Sequence, residues 1–228
     1  MEFVGAPVTE LRALITTSFE QWVGESSGVQ SCALSGGNTA LIFLGALKAA
    51  QVDWRRITFF WADERAVAPD DPESNYGLAE RMLLKPLGKI GPRAIRMPTD
   101  KLPLGEAALW YDNALATTLN NGPLDLAILG IGEDGHVASL FPGHRALLVE
   151  DLRAVAIEDA PKLPPRRLSL TLRYLLQTKK IWLIAIGARK FPVLLRAIDK
   201  QSNSTPLDLL IRQAKDVTVF TDQSLHRR

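Results

Sequence analysis

Leu124-Asp125-Leu126-Ala127-Ile128-Leu129-Gly130-Ile131-Gly132-Glu133-Asp134-Gly135-His136 is the stretch whose reading decides the fold. Its first half is an apolar run without alternation. A strand buried on both faces has that pattern, and such strands belong to parallel sheets covered by helices. The run stops at a glycine and opens into a polar loop. The same event recurs along the chain. Ser31 to Leu34 ends at Ser35-Gly36-Gly37, Ile57 to Trp61 ends at Ala62-Asp63-Glu64-Arg65, and Ile181 to Ile186 ends at Gly187. Val217 to Phe220 reads as a last strand.

Helical spacing fills the intervals. Leu11, Leu14, Ile15, Phe19 and Trp22 mark one amphipathic helix over 8–23, and 39–50, 76–84, 105–119 and 190–198 read as others. Asp63 to Asn75 is polar, contains Pro69 and Pro72, and is expected to be a loop. Strands that alternate with helices predict an α/β fold, a mostly parallel sheet with helices on both faces. With 228 residues and no internal repeat or convincing linker, residues 1–228 are expected to form one domain.

Composition excludes several classes. The charges, 27 basic against 25 acidic, leave a net +2, so no global basic field points to nucleic acid or a membrane surface. No apolar run reaches the length of a membrane span. The single cysteine, Cys32, forms no internal disulfide and reads as a buried small hydrophobe. With no secretory signal, the expected compartment is the cytoplasm. Neither HExxH nor a Cys/His ligand pair occurs, so neither a metal nor another cofactor is expected. Oligomeric state, monomer or homodimer, is not legible.

Ligands of open α/β sheets gather at the carboxyl ends of the strands. The segments found there are therefore the candidates. Ser35-Gly36-Gly37-Asn38-Thr39 lies between a strand and a helix. Its glycines allow close backbone approach, and the helix start offers free N–H groups to a phosphate. The plain alternative is a tight turn capped by Asn38 or Thr39.

Gly130, Gly132 and Gly135 formally match a dinucleotide fingerprint. However, Glu133 and Asp134 place two carboxylates where a pyrophosphate would sit, and Pro142-Gly143 cuts short the helix that should follow. What remains is a flexible loop that presents Asp134 two residues before His136. A neutral imidazole suits proton transfer near pH 7. Asp134 can orient it or hold a substrate hydroxyl; a capping Asp beside a surface His is the bland alternative.

Asp63, Glu64 and Arg65 can bind sugar hydroxyls or phosphate, or form a solvated loop. Ser74 reads as a helix cap. Ala160 to Thr171 reads as a stiff proline loop carrying Lys162, Arg166 and Arg167, suited to an anion. Lys190 is a further phosphate candidate at a helix start, and His144 reads as structural.

Together these segments resemble the 6-phosphogluconolactonase family, in that family's order, from Ser35 to Lys190. The block from Gly130 through His136-Val137-Ala138-Ser139-Leu140-Phe141-Pro142-Gly143 is highly specific. The Ser-Gly-Gly segment is weak alone. Asp63-Glu64-Arg65, Ser74-Asn75-Tyr76 and Pro164-Pro165 with Arg167-Leu168-Ser169-Leu170-Thr171 match too. The resemblance implies a Rossmann-like fold and a phosphorylated sugar lactone as partner, hydrolysed to 6-phosphogluconate. It also implies His136 as catalytic base, and a phosphate pocket made by the first glycine loop with Arg167 and Lys190. Asn38, Ala40 and Val137 depart from residues common in the family (Ser, Pro and Thr).

Glucosamine-6-phosphate deaminases share the fold but carry a glutamate five residues after the histidine, where this chain has Phe141. A sensor domain that binds sugar phosphate without catalysis usually follows a helix-turn-helix. Before Ser35 there is room for one helix and no basic recognition segment.

Overall fold

The structure is a computed structural model that describes residues 1–199 and 204–223. In chain order the elements are β1 (Glu2–Gly5), α1 (Val8–Gly24), β2 (Gln30–Leu34), α2 (Ala40–Ala49), β3 (Ile57–Trp61), β4 (Asp63–Arg65) and α3 (Asn75–Ala79). There follow α4 (Lys85–Leu87), β5 (Arg93–Ala94), α5 (Leu104–Thr118), β6 (Leu126–Gly130), β7 (Ala154–Ile157) and β8 (Arg167–Leu170). The chain ends with α6 (Leu172–Gln177), β9 (Lys180–Ala185), α7 (Phe191–Ile198), α8 (Pro206–Gln213) and β10 (Val217–Thr221).

Seven strands form one parallel sheet in the order β1-β10-β9-β6-β2-β3-β5, flanked by helices. Every residue of β2, β3 and β10 is buried. That is why these runs show no alternation in sequence. Phe19 of α1 packs with Trp22, Trp54 and Trp182, so an aromatic cluster joins helix to sheet. Cys32 is buried among these residues. Among the described residues no helix is long and apolar enough to cross a membrane.

From β2 the chain winds outward through β3 and β5. From β6 it winds the other way through β9 and β10. The neighbours β2 and β6 therefore flank the point where the winding reverses, and a crevice opens beyond their carboxyl ends. The loops after these two strands are the two glycine segments singled out above.

Two expectations need correction. Asp63–Arg65 is a strand rather than loop, and the second half of the 160–171 segment is β8. With β7 they form a three-stranded antiparallel sheet, β4-β8-β7. Asp63 pairs with Ser169 and Arg65 with Arg167. The strands are very short, and β4 is wholly charged in sequence, so neither length nor hydrophobic period marks it. Tyr111 of α5 fixes the junction between β3 and β4. Its hydroxyl accepts from the Trp61 N–H at 2.7 Å and donates to the Trp61 carbonyl at 3.0 Å.

The helix expected over 76–84 is α3 continued by a π-turn over Glu80–Leu84. The strands β1, β5 and β7 and the helices α6 and α8 had no counterpart in the sequence reading. The tail His226-Arg227-Arg228, expected to be disordered, lies outside the described residues.

Candidate active site

A cavity of about 370 Å³ opens at the carboxyl ends of β2 and β6. Its floor is Ser35, Gly36, Gly37, Asn38 and Thr39, running from β2 into α2. One wall is Gly130, Ile131, Gly132, Glu133 and His136 after β6. The small sheet and its loop contribute Asp63, Arg65, Lys162 and Arg167, and Lys190 comes from the start of α7. Segments far apart in sequence thus converge on this cavity. Of the candidates named from the sequence, Asp134 lies against His136 beside it, while Glu64 and Arg166 do not line it, Arg166 pairing with Glu158 at 2.6 Å instead. Asn75 and Ala138, which the sequence placed in matching segments without a role, also line it.

The floor is a backbone surface. Ser35 N–H donates to the Ile128 carbonyl at 3.0 Å and so ties this loop to β6. The tight turn is present, closed by Ala40 N–H on the Gly37 carbonyl at 3.0 Å, and Thr39 is the N-cap residue of α2, but its side chain makes no cap hydrogen bond. Gly36 has a steric reason. A Cβ there would overlap the Asn75 carboxamide, which donates to the Asp63 carbonyl at 2.8 Å. On the cavity wall, Ser35 Oγ and Arg65 Nε are buried without a hydrogen-bond partner among the described residues. Buried polar groups of this kind need a ligand or water.

The wall after β6 is a braced turn, which corrects the expectation of a flexible loop. Gly132 N–H donates to the His136 carbonyl at 2.8 Å, Gly135 N–H to the Gly132 carbonyl at 3.0 Å, and Leu207 N–H of α8 to the Gly135 carbonyl at 3.1 Å. A Cβ on Gly132 would overlap the His136 ring, so glycine is required for the imidazole to lie where it does.

His136 Nδ1 is 2.5 Å from Asp134 Oδ1, and Lys162 Nζ is 3.1 Å from Asp134 Oδ2. Asp134 therefore faces the histidine and the lysine. Burial pushes its carboxyl up, but the His136 hydrogen bond and charge, with Lys162, win and hold it well below the usual carboxylate range. The His136 side chain is 19% exposed, so it reaches the cavity while resting on Phe141, ring centroids 4.6 Å apart. Phe141 is the position where the deaminases carry their glutamate.

Asp63 and Glu64 separate in role. Asp63 accepts from Ser139 Oγ at 2.6 Å and from Asn75 Nδ2 at 3.3 Å, so its carboxylate is largely engaged by the protein. Glu64 is buried and accepts from Arg65 N–H (2.8 Å), Asn75 N–H (2.8 Å), Tyr76 N–H (2.7 Å) and Ser74 Oγ (3.1 Å). Burial pushes its carboxyl up against those backbone bonds. It holds the start of α3, while Ser74 caps that helix through Gly77 N–H at 2.9 Å.

Arg65 donates to the Glu73 carbonyl at 2.6 Å and to its carboxylate at 3.1 Å. Lys190 is half-buried, and burial pulls its ammonium below the ordinary lysine value against the opposing pull of Glu133. His144 is structural. Its Nδ1 accepts from Ala146 N–H at 3.1 Å, and Nε2 lies 3.0 Å from Asp159. Among the described residues no group of three or more His, Cys, Asp or Glu side chains could hold a metal.

Comparison with known proteins places the chain in a family. The family model described as glucosamine-6-phosphate isomerases/6-phosphogluconolactonase matches residues 6–220. A 6-phosphogluconolactonase of Mycobacterium tuberculosis is 36% identical over 175 residues, covering 72% of this chain and 71% of that protein. A probable 6-phosphogluconolactonase 1 of Arabidopsis thaliana is 36% identical over 183 residues, covering 74% and 68%. The crystal structure of a 6-phosphogluconolactonase from Thermotoga maritima superposes with TM-score 0.81 at 26% identity, covering 96% of this chain and 97% of that one. One from Shewanella baltica has TM-score 0.85 at 24% identity, covers 97% of each chain, and bears on the fold alone. By family model, relatives and fold together, the chain belongs to the 6-phosphogluconolactonases of the glucosamine-6-phosphate isomerase/6-phosphogluconolactonase family.

Proposed function

We propose that this enzyme hydrolyses 6-phospho-D-glucono-1,5-lactone to 6-phosphogluconate, in the oxidative pentose phosphate pathway, with His136 as general base. The observation that carries the reading is the Asp134–His136 pair, 2.5 Å apart, at the wall of a cavity floored by backbone N–H groups and rimmed by cations. The loop Gly36 to Thr39 and the start of α2 take the phosphate, helped by the charges of Lys190 and Arg65. That remote binding fixes the lactone against the wall.

Asp134 accepts a hydrogen bond from His136 Nδ1–H, which fixes the proton on Nδ1 and leaves the Nε2 lone pair free. Nε2 removes a proton from water as the water oxygen bonds to the lactone carbonyl carbon. The oxyanion that forms is held by a cation or backbone N–H of the cavity. The intermediate collapses with cleavage of the ring C–O bond. The imidazolium returns its proton to the leaving oxygen, giving an open-chain hydroxyl and a carboxylic acid that ionises.

The test is hydrolysis of freshly generated lactone by the purified protein in EDTA, with the spontaneous rate subtracted. A large excess rate that disappears in His136→Gln supports the reading. A folded protein with no excess rate overturns it.

A further inference from the structure

Arg167 lines the cavity, yet its guanidinium is turned to the protein. Nε donates to the Pro164 carbonyl at 2.8 Å, Nη2 to the carbonyls of Lys162 and Leu163, both at 3.1 Å, and Nη1 to Ser139 Oγ at 3.4 Å. Four of the five donors of an arginine are thus engaged. Three of the bonds grip consecutive carbonyls of one loop. Its neck is closed by Ala160 N–H on the Pro165 carbonyl at 2.9 Å, and its apolar tip, Leu163, is 86% exposed. The loop carries Lys162, whose ammonium lies 3.1 Å from Asp134 and 3.4 Å from His136 Nδ1. Phe141 completes the unit: its ring lies under both the Arg167 guanidinium, at 5.5 Å, and the His136 imidazole.

We propose that Arg167 is a positioning residue, which holds the 162–164 loop so that Lys162 is delivered to the Asp134–His136 pair. The consequence for turnover rests on the lactonase reading above; the clamp itself does not. A planar fork that bridges three carbonyls has no substitute in a lysine, which presents one point charge on a flexible stem. Arg167→Lys therefore keeps the charge a phosphate would see and loses the clamp.

Two measurements made together test this. Trypsin cuts after Lys162 only when the loop leaves its seat. Limited trypsinolysis, followed by mass spectrometry, should show the Lys162–Leu163 bond cleaved several-fold faster in Arg167→Lys than in the wild type, with cleavage elsewhere unchanged. In the lactonase assay, kcat should fall about tenfold or more in Arg167→Lys, as expected for a displaced active-site group. The Kd for inorganic phosphate, measured by calorimetry, should change less than about threefold, since charge is retained. Lys162 is 47% exposed, so Lys162→Ala folds and provides the second arm. It should reproduce the loss of kcat, and the double variant should be no worse than the worse single one.

Unchanged cleavage after Lys162, together with a large loss of phosphate affinity at unchanged kcat, would overturn the proposal and make Arg167 a phosphate ligand. Fully additive losses in the double variant would also overturn it. A wild type without lactonase activity would sink the proposed function, while the trypsin comparison would still report on the clamp.

Discussion

The two loops at the switch point begin alike and end differently. Each leaves a buried strand of the same sheet through glycine, and they touch: a Cβ on Gly130 would lie 2.9 Å from Thr39 Oγ1. The loop after β2 runs straight into α2 and presents main-chain N–H groups. The loop after β6 closes on itself through Gly132 and His136, leads into no α-helix before β7, and presents side chains. An anion held by backbone donors is indifferent to most side chains around it. Proton transfer by one imidazole depends on where that ring stands to within a fraction of an ångström. Substitutions after β6 should therefore act on kcat and be severe. Those after β2, apart from Gly36 where any side chain would strike Asn75, should act on KM and be mild.

The largest expected effect is that of His136→Gln. It should lower kcat by about 10²–10⁴-fold, with phosphate affinity by calorimetry nearly unchanged. Equal loss of both would remove the division of labour between the loops. Next is Gly132→Ala. The added methyl overlaps the imidazole, so the ring must turn away from Asp134. Loss of kcat near 10²-fold is expected from misplacement of this size, in a protein whose far-ultraviolet circular dichroism is unchanged. An active Gly132→Ala enzyme would show that the ring position seen here is not the working one.

Lys190 is predicted to be intermediate, because it serves the anion side through a side chain. Lys190→Met should raise KM about tenfold, the usual cost of one charge-assisted hydrogen bond, and spare kcat. Its pH behaviour follows from burial. A lysine shifted downward loses its proton, and with it its positive charge, at a pH below the ordinary lysine value. Wild-type KM should therefore climb on the alkaline side earlier than an exposed lysine would make it. The climb should be missing in Lys190→Met. A KM–pH profile of the same shape in both proteins would assign the anion's charge partner elsewhere.

The contrast between the loops also explains what the sequence could reveal. Long apolar runs such as Leu124–Leu129 and Ile57–Trp61 announce buried parallel strands, and the glycines after them announce the crevice. The antiparallel sheet did not announce itself. Asp63-Glu64-Arg65 looks like solvated loop, because its burial is provided by Ser74, Asn75 and Ser139, which lie up to 76 positions away. The tightness of the loop after β6 was likewise hidden. Its glycines suggested freedom, whereas Leu207 of α8 and the His136 carbonyl lock it. Ser74-Asn75-Tyr76 was legible as a cap, but nothing local told that the Asn75 carboxamide would meet Gly36 across the site. Ala138 at φ 50° carries no sequence mark at all.

The smallest effect expected is at Asn38, and it is the most direct probe of a backbone-built floor. Asn38 lies at the cavity, in the turn closed by Ala40 N–H on the Gly37 carbonyl at 3.0 Å. Among the described residues its side chain has no hydrogen-bond partner. If the floor works through its N–H groups, Asn38→Ser leaves those donors in place, and both KM and kcat should stay within about twofold, the scale of surface substitutions. Asn38→Asp tests the same idea with opposite sign. It adds a negative charge beside the phosphate without altering the turn, and should raise KM several-fold at low ionic strength and less in salt, as screening requires. If instead Asn38→Ser weakened binding tenfold, the amide would be a specific ligand. The two loops would then differ in which substrate atoms they address rather than in whether main chain or side chain does the work.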